Sequence, residues 1–455
     1  MKFACLPFPL LLMTLTLLAF RANAAPPVLD QTLTTDQAVT IALRESPLIH
    51  GAVAEVDAAR GRLKAARAET RPTVSANTFV SGGSLPNIVE SPELLVSRMI
   101  MGLPRGGYAD QNLMVMYPLF TSGRLQAMTR QAAALRGASQ ATLEVQRREV
   151  MLMVRVAYRE IQAREALVGV GQTRLQENEE RLRIDREKLT LERIPAYYVR
   201  RDEAEVASAQ QEITNARRDA GMALSQLKTV MGISLASRLA LTEKLDDTPS
   251  ADLLRKLTDA GTTADADLAA LLSAAERHRP ELLAAGERVA GAQAGETAVR
   301  AGYRPQVGLF AMGDVLKAGG MPGTGGITYG VTASIPLYSG GGDQARRETA
   351  AAERRVQEAE QERIALQIAR EVNDAYLSLL AAEQNIQTAR AALRAAGDEY
   401  RAAKARYDAG RSIVTEVLDA LTSRVRSENE VIQALFQYNV AADQLRKAVG
   451  AERVP

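Results

Sequence analysis

The sequence contains only one cysteine and no tryptophan. The cysteine, Cys5, lies in a segment where Lys2 precedes an apolar run and Ala22 to Ala24 has the small-residue pattern of a signal-peptidase site. We therefore predict that residues 1–24 are a signal peptide and that the mature chain begins at Ala25 without a thiol. Such a chain has no disulfide, no thiolate metal site and no cysteine nucleophile, and it lacks the N-terminal cysteine that carries a lipid anchor.

Long apolar runs and an excess of one charge are missing as well. Beyond the predicted signal peptide, no stretch reaches the roughly 18 apolar residues of a membrane-spanning helix, so a bilayer span would have to be built from β-strands. The 56 Lys and Arg residues nearly balance the 54 Asp and Glu residues. Nucleic acid is therefore not an expected partner.

Motifs for catalysis and metal binding are not found in the sequence. It has no Walker motif, no nucleophile elbow and no paired carboxylates on a rigid frame. Its two histidines, His50 and His278, do not have the spacing of metal ligands. We expect a protein that is not an enzyme and that needs no cofactor or metal.

What the sequence does contain is one long block that occurs twice, at residues 117–232 and 335–450. The copies align without a gap at an offset of 218 residues, so that Pro118 falls on Pro336. A shorter segment ahead of each block is duplicated at an offset of 233, which places Pro47 on Pro280. The chain therefore divides into two structural repeats, predicted at 25–232 and 268–455, joined by a polar connector at 233–267 that has a short helix near 253–257.

Each copy has an apolar residue at every seventh position over five intervals, which predicts a long helix in a left-handed supercoil. About 70 residues precede the next helix breaker, Pro195 or Gly410, and that length corresponds to roughly 100 Å of helix. A second helical pattern then returns over half that length, so each copy predicts a long α-hairpin. The long helices are expected at about 123–192 and 342–408, and the return helices at about 196–231 and 413–449. The repeated column consists of Val154, Ile161, Val168, Leu175, Leu182 and Leu189, followed 218 positions later by Val372, Leu379, Ile386, Leu393, Tyr400 and Tyr407.

Short segments ahead of each long helix alternate apolar with small polar residues, as Ile327, Tyr329 and Val331 do with their neighbours. They predict strands at about 73–81, 110–118, 306–314 and 327–336. Each is about ten residues long, enough to cross a bilayer when tilted. Four strands leave two edges unpaired, so we expect the sheet to close with strands of other chains. Copy one has additional residues within the loop at 82–107, which we interpret as a structured extracellular loop in preference to a ligand site.

This order of strands and long helices, given twice after a signal peptide, resembles the TolC-like outer-membrane efflux family. The most specific similarity is the stretch from Tyr407 to Ala420, which resembles the family's periplasmic tip. The run from Pro336 to Gly341 is similar to its strand-to-helix junction. The resemblance covers nearly all of the mature chain.

The resemblance implies a mainly α-helical fold with membrane β-structure. Three copies would form a homotrimer with a 12-stranded β-barrel in the outer membrane of a Gram-negative bacterium, continuous with a 12-helix periplasmic α-barrel. The implied function is a passive exit duct for a tripartite efflux or type I secretion system, gated at its periplasmic tip. The implied partners are outer-membrane lipid, a periplasmic membrane-fusion adaptor protein and an inner-membrane pump of the RND, ABC or MFS class.

The resemblance also assigns site residues at the two hairpin tips. In copy two Tyr407, Glu416 and Asp419 match the residues that constrict the tunnel, and Arg411 is the predicted bridge between the acids. In copy one the tip departs from the family pattern, with proline in place of the glycine-rich turn. Adaptor docking is assigned to Glu192, Arg193, Ile194, Pro195, Gly410, Ser412 and Ile413, and the candidate gate partners of copy one are Arg200, Arg201 and Asp202.

The two alternative functions are a periplasmic adaptor and an extended coiled-coil scaffold. A periplasmic adaptor also has a long α-hairpin, but it predicts one hairpin between compact β domains rather than two hairpins with bilayer-length strands. An extended coiled-coil scaffold would not account for the predicted alternating strands. The exported substrate, the class of pump and the resting state of the aperture stay open at this point.

Overall fold

The computed structural model describes most of the chain. The predicted signal peptide, the loop at 82–107, and residues 255 and 256 of the predicted short helix of the connector lie outside the described residues. The described residues are 28, 30–81, 108–245, 253–254, 257, 268–318 and 323–451.

Helices dominate, and each half of the chain has the same order of elements. The first half consists of β1 (Asp30–Leu33), α1 (Thr35–Glu45), α2 (Pro47–Ala68), β2 (Thr73–Ser81), β3 (Tyr108–Phe120), α3 (Arg124–Thr190) and α4 (Ala196–Met231). The second half consists of β4 (Arg238–Leu241), α5 (Leu268–His278), α6 (Pro280–Ala301), β5 (Gln306–Ala318), β6 (Thr324–Ser334), α7 (Gly342–Asp408) and α8 (Val414–Val449). The equivalent helices begin and end at the offsets seen in the sequence, 218 residues for the hairpins and 233 for the short helices.

The long helices α3 and α7 have 67 residues each, which at 1.5 Å per residue is about 100 Å. All twelve residues of their seven-residue columns are buried or half-buried, and Val154, Val372 and Leu379 are fully buried. Helix α3 packs against α1, α2, α4, α6 and α8, whereas α7 packs against α5, α6 and α8. Helix α3 is therefore the central element, and its contact with α8 joins the two hairpins.

The return helices end against the bends between the short helices. Helix α4 ends at Gly232 with φ 73°, and α8 ends at Gly450 with φ 74°. A Cβ on Gly232 would lie 2.6 Å from the carbonyl oxygen of Glu45, where α1 gives way to α2 at Pro47. Glycine is needed there both for the left-handed backbone and for this close approach.

The four longer strands form one antiparallel sheet in the order β2-β3-β5-β6. The pairing of β3 with β5 joins the two copies, with Met114 opposite Met312. Strands β3 and β5 extend beyond the expected 110–118 and 306–314, because the ladder continues outward to pairs such as Leu316 with Thr324. Strand β6 ends at Ser334 rather than 336, since Pro336 has no N–H to donate to a ladder. Within the described residues β2 and β6 are each paired on one side only.

A small parallel sheet lies at the level of the short helices and was not expected from the sequence. Strand β4, from the predicted connector, pairs with β1 so that Leu33 lies opposite Leu241. Leu33 is buried, and its carbonyl oxygen accepts a hydrogen bond from the Tyr158 hydroxyl at 2.9 Å. Leu253 and Leu254 are also buried, in a cluster with residues of α5, α7 and α8. The connector is therefore partly a core element and not only a polar link.

In the part of the chain that the structure describes, none of the helices combines the length and apolar character needed to cross a membrane.

Candidate functional site at the hairpin tips

The two hairpins turn in the same way. Glu192 has φ 56° and Gly410, 218 positions later, has φ 72°. The backbone N–H of Arg193 donates to the Lys188 carbonyl at 2.9 Å, and that of Arg411 donates to the Arg406 carbonyl at 2.8 Å. Both long helices therefore end in the left-handed turn that usually contains glycine.

This geometry corrects the expected departure of copy one. Pro195 does not replace the glycine of the turn; it is the N-cap residue of α4, as Ile413 is of α8. The residue that takes the glycine's place is Glu192, which adopts the left-handed backbone although it has a side chain. Helix α4 begins after Pro195 because proline accepts an extended backbone but has no N–H to continue the preceding helix.

Above the turns, polar and aromatic contacts join the two hairpins of the protomer. Arg424 of α8 donates from Nη2 to both carboxylate oxygens of Glu177 on α3 at 2.9 Å. Its guanidinium also lies 4.6 Å from the centre of the Tyr400 ring. Buried residues of α7 and α8, among them Val417 and Leu421, pack against the same region. The hairpins thus form one packed unit down to the tips.

Tyr407 forms the last of these contacts before the turn. Its hydroxyl lies 3.2 Å from Oδ1 and 3.1 Å from Oδ2 of Asp185 on α3, to which it donates. The ammonium of Lys188 lies 3.1 Å from Oδ1 of Asp185 and 4.4 Å from the centre of the Tyr407 ring. Burial, followed by the negative charge of Asp185, raises the pKa of Tyr407, so the hydroxyl stays protonated as a donor.

A second buried carboxylate, Asp202 of α4, lies beside this group. Arg181 of α3 donates from Nε to Oδ1 of Asp202 at 3.1 Å and from Nη2 to the side-chain oxygen of Asn178 at 2.7 Å. Burial raises the pKa of Asp202 to about 6; the charge of Arg181 opposes this rise and the charge of Asp185 adds to it. Within the described structure the other oxygen of Asp202, Oδ2, is buried without a hydrogen-bond partner.

The structure brings only part of the predicted gate into this network. Tyr407 and Asp202 belong to it, whereas Arg411, Glu416 and Asp419 lie on the exposed surface of the protomer. Glu416 accepts a hydrogen bond from Ser412 at 2.7 Å and is paired with Arg406 at 3.4 Å. The bridge assigned to Arg411 is not formed within the protomer and stays a prediction.

The remaining predicted tip residues lie at or near the turns. Arg201 donates from its guanidinium to the Thr415 hydroxyl at 3.2 Å, which joins the first turns of α4 and α8. Ile194 and Ser412 are half-buried. The residues exposed at the tips are Glu192, Arg193, Pro195, Arg200, Gly410 and Ile413.

Asp185 and Arg181 were missed by the sequence analysis. A signal was present for Asp185, because it lies three residues after Leu182 and four before Leu189. That is the spacing of inward-facing positions in a supercoiled helix, where a buried acidic side chain needs a partner that compensates its charge. Nothing comparable marks Arg181, whose partner Asp202 is on the other helix of the hairpin.

Metal-binding geometry is not found at the tips or elsewhere in the part of the chain that the structure covers: no group of three or more His, Cys, Asp or Glu side chains is placed to hold an ion. The buried acids are paired with Arg181, Lys188 and Tyr407 instead. These contacts join the two hairpins at their tips.

Comparison with known proteins relates this architecture to one family. The family described as outer membrane efflux protein matches residues 38–233 and 271–451, which correspond to the two repeats. No curated protein sequence matches the chain.

Solved structures have the same fold. The CusC structure has 16% sequence identity and a TM-score of 0.75, over 95% of each chain. A membrane protein from Pseudomonas aeruginosa has 20% identity and a TM-score of 0.73, over 91% of this chain and 90% of that one. The MtrE outer membrane channel of Neisseria gonorrhoeae, in its open state, has 20% identity and a TM-score of 0.72, over 91% and 88%. At these identities the likeness concerns the fold alone.

Proposed function

The chain belongs to the outer membrane efflux protein family, and from this premise we propose that three copies form the passive exit duct of a tripartite efflux or type I secretion system. The duct crosses the outer membrane of a Gram-negative bacterium and extends through the periplasm. It does no chemistry, and its driving force comes from an inner-membrane pump of the RND, ABC or MFS class.

The proposal rests on a four-stranded sheet whose two edges are unpaired within the described residues and which continues into two helices of about 100 Å. Three such sheets supply twelve strands, and pairing of β6 with the β2 of the next copy closes them into one barrel. Ile327 and Tyr329 are each 81% exposed in the single chain, which suits a face turned toward outer-membrane lipid. The hairpins of three copies then form the periplasmic tunnel.

The hairpin tips are the proposed gate and docking surface. Tyr407 holds the two hairpins of a protomer together through Asp185, and Glu416 and Asp419 lie close to the tunnel axis in the trimer. A periplasmic adaptor docks on the turn residues, which are Glu192, Arg193, Ile194, Pro195, Gly410, Ser412 and Ile413. Opening is a separation of the hairpins at this end, which breaks contacts within a protomer and widens the aperture.

Planar-bilayer conductance of the purified protein tests the proposal, with its oligomer mass measured in the same detergent. We expect long-lived channels of small conductance from a trimer. A soluble monomer without conductance would contradict the proposal and favour the adaptor or scaffold functions.

A further inference from the structure

The first hairpin encloses two acids near its tip. The side chains of Asp185 on α3 and Asp202 on α4 are 0% and 1% exposed, respectively. Most buried carboxylates are held by hydrogen bonds at both oxygens, because an ionised oxygen without a donor loses its hydration without compensation. Asp202 departs from this rule, since its Oδ2 has no donor in the described structure.

The groups around the acids come from several elements. From α3, Arg181 contacts Asp202 and Lys188 contacts Asp185, both at 3.1 Å. From α7, the Tyr407 hydroxyl contacts both oxygens of Asp185. On α4, Tyr198 lies near Tyr407, and Arg201 donates to the Thr415 hydroxyl of α8 rather than to either acid.

These contacts distinguish the two acids. Asp185 accepts hydrogen bonds from Tyr407 at both oxygens and from Lys188 at one. Asp202 has a donor at one oxygen only, an arrangement that suits a carboxyl group carrying a proton on the other. The negative charge of Asp185 adds to burial in raising the pKa of Asp202.

We propose that Asp202 carries a proton on the oxygen that has no donor, and that this proton keeps Tyr407 attached to the first hairpin through Asp185. When the proton is lost, the two carboxylates repel, α3 and α4 move apart, and Asp185 is withdrawn from Tyr407. The protomer then has a proton-dependent latch, formed by Asp185, Asp202 and Tyr407. The effect of the latch on conduction rests on the proposed function, whereas the proton site does not.

The direction of the pH dependence follows from the pKa of Asp202, about 6 in the packed tip against 3.8 ordinarily. The packed tip binds the proton more tightly than the separated one, so packing strengthens as the pH falls below about 6 and weakens as it rises through that value. Between pH 7 and pH 5 the closing equilibrium is expected to change about tenfold.

Hydrogen exchange of the α7 tip in the full-length protein in detergent tests the proton site. After correction for intrinsic rates, we expect about tenfold greater protection near Tyr407 at pH 5 than at pH 7. Asp202→Asn should be protected at both values, because an amide is neutral and can donate to Asp185. Asp185→Asn, which removes the other acid, should reduce the pH response without abolishing it, because burial still raises the pKa of Asp202.

The matched control is Glu203→Gln. Glu203 follows Asp202 directly, but its side chain is 42% exposed and pairs with Arg186 on the surface. This variant should keep the response of the natural protein. Equal protection of the natural protein at pH 5 and pH 7, or an unchanged response in both Asp202→Asn and Asp185→Asn, would overturn the proton site.

Conductance of the same samples separates this inference from the proposed function. A latch that gates a channel predicts lower conductance at pH 5 than at pH 7, and no such difference in Asp202→Asn. A normal exchange response without conductance at any pH would support the proton site and contradict the channel. Conductance together with exchange that is independent of pH would support the channel and contradict the latch.

Discussion

The buried acids of the tip occur in only one of the two copies. The positions equivalent to Asp185 and Asp202, 218 residues later, are Ala403 and Ala420, and both alanines are buried. Conversely, Tyr407 corresponds to Leu189 in copy one. The two hairpins therefore share a backbone but have complementary side chains, with the acceptor in the first and the donor in the second.

Replacing Tyr407 by Phe removes the donor and leaves the ring. Asp185 then retains Lys188 as its donor, and a hydrogen bond to a charged group typically contributes about 1.5–3 kcal/mol. We expect protection of the α7 tip against hydrogen exchange to fall about tenfold. Tyr376→Phe, on the same helix but far from the tip, is the control and should leave tip exchange unchanged; equal effects of the two variants would contradict this assignment.

Prediction of single residues from the sequence depends on local signals. Tyr407 could be singled out because the stretch that follows it resembles the family's periplasmic tip. Its partner Asp185 is 222 positions away, and the distance between them depends on how two hairpins pack. A spacing pattern along one helix cannot identify the residue that the neighbouring helix presents to it.

Among the secondary-structure elements, the four long helices could be predicted from the seven-residue columns and the helix breakers. Gly410 and Pro195 mark the tips because each interrupts a long helical pattern. The parallel pair β1 and β4 could not be predicted in this way. Its strands have four residues each and come from distant parts of the chain, so they show neither alternation nor a turn signal.

A comparison of Gly232 with Gly410 measures how much steric contact adds to the free-energy cost of a side chain in the left-handed turn at a helix end. Their φ values are 73° and 72°, but a Cβ would meet Glu45 at Gly232 and open space at Gly410. Alanine in a left-handed backbone costs about 1 kcal/mol, and we expect only that at Gly410. Gly232→Ala should cost about 2–4 kcal/mol, seen as a larger drop in denaturation midpoint. Equal midpoints for the two variants would show that Glu45 moves away from the added Cβ without a loss of stability.

In the assembled channel, the exposed acids of the second tip should determine which ions the proposed trimer prefers. Three copies would place six carboxylates from Glu416 and Asp419 around the proposed aperture, and rings of acid favour cations. Changing both to Ala should reduce cation selectivity in planar bilayers without preventing trimer assembly. The control pair, Asp398 and Glu399, lies exposed on α7 above the tip. Unchanged selectivity of the Glu416 and Asp419 variant would refute the acid ring.

The length of α3 has a mechanical consequence. From Tyr158, in the core beside the parallel sheet, to the end of the helix at Thr190 is about 50 Å at 1.5 Å per residue. A hairpin pivoting on that core as a rigid lever moves its tip by about 1 Å per degree. A few degrees are then enough to part Tyr407 from Asp185 while the residues beside the pivot hardly move. A partner that pulls at the turns acts on the longest arm, where the smallest force produces the torque needed to separate the hairpins.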